Sequence, residues 1–142
     1  MWALVTDQRY HGVRTRLLPL AAVATVVFGW RRWRPFRAVV AGGSMEPTLH
    51  GGDHVLAVRR RHVERGDVVV VERPDRPGFE LIKRVTAVGG DHVEGRTLRD
   101  GELWITGDAP GASTDSGSFG PVRRDAVTGV VLIRTWPLRR VR

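Results

Sequence analysis

Past Arg37 the chain alternates between strand-length apolar runs and small turn-forming clusters. The runs RAVVAG (37–42), HVLAV (54–58), DVVVVE (67–72), FELIKRVTAV (79–88), ELWITG (102–107) and TGVVLIRTW (128–136) are rich in the β-branched residues that suit a pleated sheet. Between them stand HGGD, ERGD, PDRPG and VGGD, in which glycine supplies positive φ while proline and aspartate favour turns. This punctuation predicts an all-β domain over residues 37–142, without internal repeats. The segment GDAPGASTDSGSFGPV (107–122) shows neither strand nor helix period and reads as a long irregular loop.

A different pattern precedes residue 37. LLPLAAVATVVFGW (17–30) is an uncharged apolar stretch flanked by Arg14 and Arg16 on one side and Arg31, Arg32 and Arg34 on the other. As a helix it would span about 21 Å, against about 30 Å of bilayer hydrocarbon. Arginines that snorkel, with Trp30 and Trp33 at the interface, would extend its reach. Residues 1–36 are therefore expected to form a basic, apolar N-terminal segment with a short helix that anchors the chain to a membrane, spanning it or lying in its surface. No small-x-small site follows, which argues against a cleaved signal peptide.

Composition adds three constraints. A chain of 142 residues suits one domain with its own core, and the absence of cysteine rules out disulfides and thiolate metal sites. The net charge of +8 points to an anionic neighbour, nucleic acid or a membrane surface, without choosing between them. Finally, the cations are 22 arginines and a single lysine, Lys83. Arginine stays charged almost anywhere, whereas a desolvated lysine can lose its proton and act as a base. Lys83 lies in an apolar run, between Ile82 and Val85, as a buried amine requires.

A base needs a nucleophile, and Ser44 in AGGSMEPTLHGGD is placed to be one. Adjacent glycines allow an unusual turn and let a substrate carbonyl approach the backbone. Pro47 keeps Glu46 out of helical conformation, and Met45 offers an apolar contact beside the serine. A serine hydroxyl needs an adjacent base, and bringing a lysine pKa from about 10.4 to near 7 takes about 4–5 kcal/mol, within what burial supplies. Spacing alone does not establish the pair, since a serine in a glycine turn is common.

GGSMEPTL resembles the serine box of the signal peptidase I family of serine–lysine proteases, GDVVVVERP the strand that follows it, and LIKRVTAVGGD the lysine box. GDAPGASTDSGSFGPV is similar to that family's last box, so the likeness runs in order from Arg37 to Pro137. It implies an antiparallel β catalytic domain that removes an N-terminal leader or signal peptide from a precursor protein at a membrane, without metal or other cofactor and without nucleic acid. On the resemblance Ser44 is the nucleophile, Lys83 its general base, and Ser113 the hydroxyl that orients the lysine. Asp115 has a structural role, Met45 flanks the substrate cleft, and Gly43 lies at the cleft and oxyanion site.

Departures from the family pattern matter. Ala109 stands where the family has asparagine and Gly117 where it has arginine, so the ion pair of Asp115 is either missing or supplied by Arg123 or Arg124. Gly42 replaces a serine that completes the oxyanion hole in some members, leaving more of that work to the Ser44 N–H. RPFRAVVAGGSMEPTL, RPDRPG and GDAPGASTDS resemble more narrowly the small actinobacterial maturation proteases for nickel-type superoxide dismutase, a reading that implies a cytoplasmic site. Two rival readings have less support. A non-enzymatic basic β-barrel binding nucleic acid or anionic membrane needs aromatics alternating with cations on one sheet face, but Trp33, Trp104 and Trp136 sit among apolar neighbours. A metal site at His50, Asp53 and His54 lacks a rigid helix and further ligands.

Overall fold

The computed structural model describes residues 34–59, 62–109, 111, 113–136 and 138–141. The apolar helix expected over 17–30, and any anchor it forms, lie outside them. In chain order the elements are β1 (Pro35–Val39), β2 (His54–Val58), β3 (Val68–Glu72), β4 (Glu80–Val88), β5 (His92–Val93), β6 (Arg96–Thr97), β7 (Glu102–Thr106), the single helical turn α1 (Ser116–Phe119), β8 (Val122–Arg123), a 3₁₀ turn (Arg124–Ala126), β9 (Val127–Trp136) and β10 (Leu138–Arg140). The fold is mainly β, as the six apolar runs required. The four short strands and α1 were not anticipated, because two or three residues carry no readable period and become strands only by pairing.

One antiparallel sheet runs β1-β2-β9-β3-β4-β7-β8, with β10 paired to the far end of β9, while β5 and β6 make a separate hairpin. The long β9 stitches the sheet together. Its first residues pair with β3 (Val70↔Gly129) and its later ones with β2 (Leu56↔Ile133). The sheet curls, so its central strand is covered on both faces. Val68 and Val70 join Val40, Met45, Leu49, Val55, Ala57 and Val131 in one core cluster. Val69 and Val71 join Val63, Val85, Leu103, Ile105, Val122 and Val130 in another. Two-sided burial explains why this strand reads as an unbroken valine run rather than an alternation. Each fully buried valine contributes about 1.5–3 kcal/mol of transfer free energy.

The tryptophans divide. Trp104 is 5% exposed and belongs to a small cluster with Ala87 and Leu98, whereas Trp136 at the end of β9 is 73% exposed. Trp33 lies outside the described residues. Three stretches of chain meet at one end of the sheet: the β1–β2 loop carries Ser44, β4 carries Lys83, and the segment between β7 and β8 closes over both.

Candidate active site

The β1–β2 loop is fastened at its base by backbone bonds from Val40 N to Asp53 O and from Gly52 N to Val40 O, both 2.9 Å. Inside it, Glu46 N donates to Gly43 O at 3.0 Å and Leu49 N to Met45 O at 2.9 Å. Gly42, at φ 77°, makes the turn ahead of Ser44, a conformation that costs little only without a Cβ. Met45 and Leu49 plug the underside of the loop into the first core cluster and are almost fully buried. Met45 therefore anchors the loop from below. Asp53 accepts from His50 N at 2.8 Å and from Arg134 Nη1, on β9, at 2.9 Å. Burial alone would raise its pKa, but these donors hold the carboxyl below its ordinary value. The HGGDH stretch thus ties the loop to β9.

Lys83 sits opposite Val69 in the β3–β4 ladder and is 2% exposed. Its Nζ lies 2.6 Å from Ser44 Oγ, in hydrogen bond. Burial lowers the lysine pKa below that of the free amine, while the charges of Asp115 and Asp108 draw it partly back. Strand alternation sends the neighbouring Arg84 to the other face. There it forms a fork on Asp108, Nε to Oδ1 at 2.8 Å and Nη2 to Oδ2 at 2.7 Å, and reaches Gly66 O through Nη1 at 2.9 Å. The Thr48 hydroxyl donates to the same carboxylate. Thr48, Arg84 and Asp108 so join the serine loop, the lysine strand and the covering segment. Arg84 and Thr48 outweigh the effect of burial and keep the Asp108 pKa low.

The covering segment touches the serine directly. Ala109 N donates to Ser44 O at 3.0 Å, and a methyl group on Gly107 would stand 2.5 Å from that same carbonyl and collide with Ser113 Oγ. Only glycine lets the two backbones meet this closely. The Ser113 hydroxyl is buried beside Gly107 with no hydrogen-bond partner among the described residues. Asp115 caps α1, accepting from Gly117 N at 3.1 Å, and also takes Gly107 N at 3.1 Å. Among the described residues it forms no ion pair. Arg123 binds Asp125 instead, and Arg124 makes no bond to Asp115. Ser116, 1% exposed, accepts from Ile105 N at 2.9 Å and fixes the segment to β7.

Of the residues singled out in the sequence, Ser44, Lys83, Gly43, Ser113 and Asp115 converge on this one site, with Met45 beneath it. Thr48, Asp108 and Ser116 were missed. A lone aspartate or serine in a polar segment has no local partner, and theirs are supplied from 60, 24 and 11 residues away.

Comparison with known proteins identifies the family. Residues 13–98 match the family described as signal peptidase, peptidase S26, a span that includes Ser44 and Lys83. A mitochondrial inner membrane protease subunit 2 from Danio rerio is 41% identical over 119 residues, covering 72% of this chain and 65% of its own length. Subunit 1 of the same protease is 34% identical in Xenopus tropicalis over 114 residues (70% and 68% of the two chains) and 33% in Homo sapiens over 112 residues (69% and 68%). The chain spans about two thirds of the length of these relatives. A match over residues 13–98 to the family model, together with relatives of this similarity along most of the sequence, places the chain in the peptidase S26 family of signal peptidases.

Proposed function

We propose that the protein is a serine endopeptidase that removes an N-terminal leader or signal peptide from a precursor protein, with Ser44 as nucleophile and Lys83 as general base. The observation that carries this reading is the 2.6 Å approach of a lysine amine, 2% exposed, to a serine hydroxyl. With the amine neutral, the Ser44 O–H donates to Nζ. As Oγ attacks the scissile carbonyl carbon, the proton passes to Lys83, and the Ser44 N–H stabilises the developing oxyanion. The ammonium then protonates the leaving amine, the peptide C–N bond breaks, and an acyl-enzyme remains. Water, deprotonated by the neutral lysine, releases the acyl group and restores Ser44. Burial that lowers the lysine pKa favours the neutral form on which the cycle depends.

Ser113, with its unpartnered hydroxyl beside the dyad, is proposed to hold the amine during the cycle. The relatives are named as inner-membrane proteases, which supports action at a membrane, with residues 1–36 as the anchor and 37–142 as the peptidase domain. The register of β4 supports capture of an extended peptide: β7 pairs with β4 only from Arg84 onward, so Glu80–Lys83 have no β7 partner on that side. The test is incubation of the full chain, in detergent or vesicles, with leader-bearing precursors, one of them a nickel-type superoxide dismutase precursor. Mass spectrometry of the new N-terminus should show one internal cut that Ser44→Ala abolishes. A cut that survives Ser44→Ala would overturn the mechanism.

A further inference from the structure

Three carboxylates close to Ser44 and Lys83 are matched. Asp108 is held by Arg84 and Thr48, Asp53 by Arg134 and a backbone N–H, and Asp115 by two backbone N–H groups. Glu46, two residues past Ser44, is exposed, and its carboxyl has no hydrogen bond or ion pair among the described residues. Its position is nonetheless defined. A methyl group on Gly43 would have as its three nearest atoms Glu46 Oε1 at 3.0 Å, Cδ at 3.2 Å and Oε2 at 3.7 Å. Around Gly42 the corresponding space is open. The carboxyl therefore forms one wall of the open surface over Gly42 and Gly43, immediately ahead of Ser44.

From Gly43 the distances add simply. With about 1.5 Å to a Cβ and 3.8 Å between consecutive Cα atoms, the carboxylate lies no more than roughly 8 Å from the Ser44 Cα. An extended peptide advances about 3.3 Å per residue, so this reaches the side chains one or two positions from the bond under attack. The charge is set against a chain of net +8, in which Arg84 is already engaged by Asp108 and Arg134 by Asp53. An unpaired anion in that place attracts a cation and repels another anion.

We infer that Glu46 is a specificity-determining residue, which selects precursors carrying a positively charged side chain (lysine, arginine or protonated histidine) next to the scissile bond. The inference rests on the peptidase reading above. An exposed pair of this kind is worth about a 1.5- to 5-fold preference over a neutral side chain, repulsion of an anion adds a similar factor, and salt screens both.

The experiment uses the full chain and a peptide library bearing lysine, glutamine or glutamate at each of the four positions flanking the cut, with the cleavage site read by mass spectrometry. At one of those positions the wild type should cleave lysine peptides about three- to ten-fold faster in kcat/KM than glutamate peptides, and the ratio should shrink at high salt. Glu46→Gln should bring the ratio toward one, and Glu46→Lys should invert it. A ratio unchanged in both variants, even with overall rates reduced, would show that Glu46 only shapes the loop and would overturn the inference while leaving the peptidase reading intact. Failure to cleave any peptide would overturn both.

Discussion

Replacing Lys83 by arginine separates two roles that a cation beside Ser44 could have. Arginine keeps the charge but cannot take a proton from the hydroxyl, so Lys83→Arg and Ser44→Ala should each lower kcat/KM by roughly three powers of ten or more while circular dichroism and thermal melting stay near wild type. Retention of a tenth of the wild-type rate by Lys83→Arg would exclude lysine as the base. The pH profile depends on the same amine. Only neutral Lys83 accepts the proton, so kcat/KM should rise with pH as the ammonium is lost, with a midpoint below the 10.4 or so of free lysine because burial disfavours the charged form. Asp115 acts the other way, since its negative charge favours the ammonium. Asp115→Asn keeps the cap on α1 but removes that charge, and should therefore move the rising limb to lower pH. A limb that moves up or stays fixed contradicts this electrostatic coupling.

At the scale of elements, the Ser44–Lys83 pair depends on three segments that are not neighbours in sequence. The β1–β2 loop brings the serine, β4 the lysine and the segment after β7 the cover, and the Thr48–Asp108–Arg84 network touches all three. Asp108→Ala would leave the Arg84 guanidinium, 19% exposed, without its fork and free the covering segment from β4. A loss of about 2–3 kcal/mol in unfolding free energy is expected from denaturant titration, since bonds to charged groups are involved. A larger proportional loss should appear in kcat/KM, because the segment that loses its tether packs on Ser44. Unchanged stability together with unchanged activity would mean that the network is ornamental.

For the whole molecule the question is where membrane attachment resides. Every residue assigned a chemical role lies at or beyond Gly43, and no helix among the described residues is long and apolar enough to cross a membrane. A chain beginning at Arg34 keeps the whole of β1 and the Arg34 carbonyl that accepts from Arg59 N. It should fold, cleave a soluble peptide at a rate close to wild type, and fail to float with anionic vesicles at high salt, whereas the full chain floats. Flotation of the shortened chain in high salt would move the attachment site into the β domain.

Local pattern determined a good deal here. The mainly β character, the six principal strands and the turns between them are written in short-range chemistry: β-branched runs set off by glycine, proline and aspartate. Ser44 and Lys83 stand out in the sequence for a similar reason, since a serine after two glycines and a unique lysine in an apolar run are each visible within a few residues. Tertiary structure decided what depends on pairing across distance. Only the fold brings Lys83 within 2.6 Å of a serine 39 residues earlier, gives Asp108 its arginine, and makes strands of His92–Val93 and Val122–Arg123. It packs the described residues of the segment read as an irregular loop onto the site, with Gly107 against Ser44 and α1 capped by Asp115. A hydrogen bond or an ion pair is fixed by the angstroms between two groups, and the chain's own periodicity carries no record of that distance until the sheet has closed.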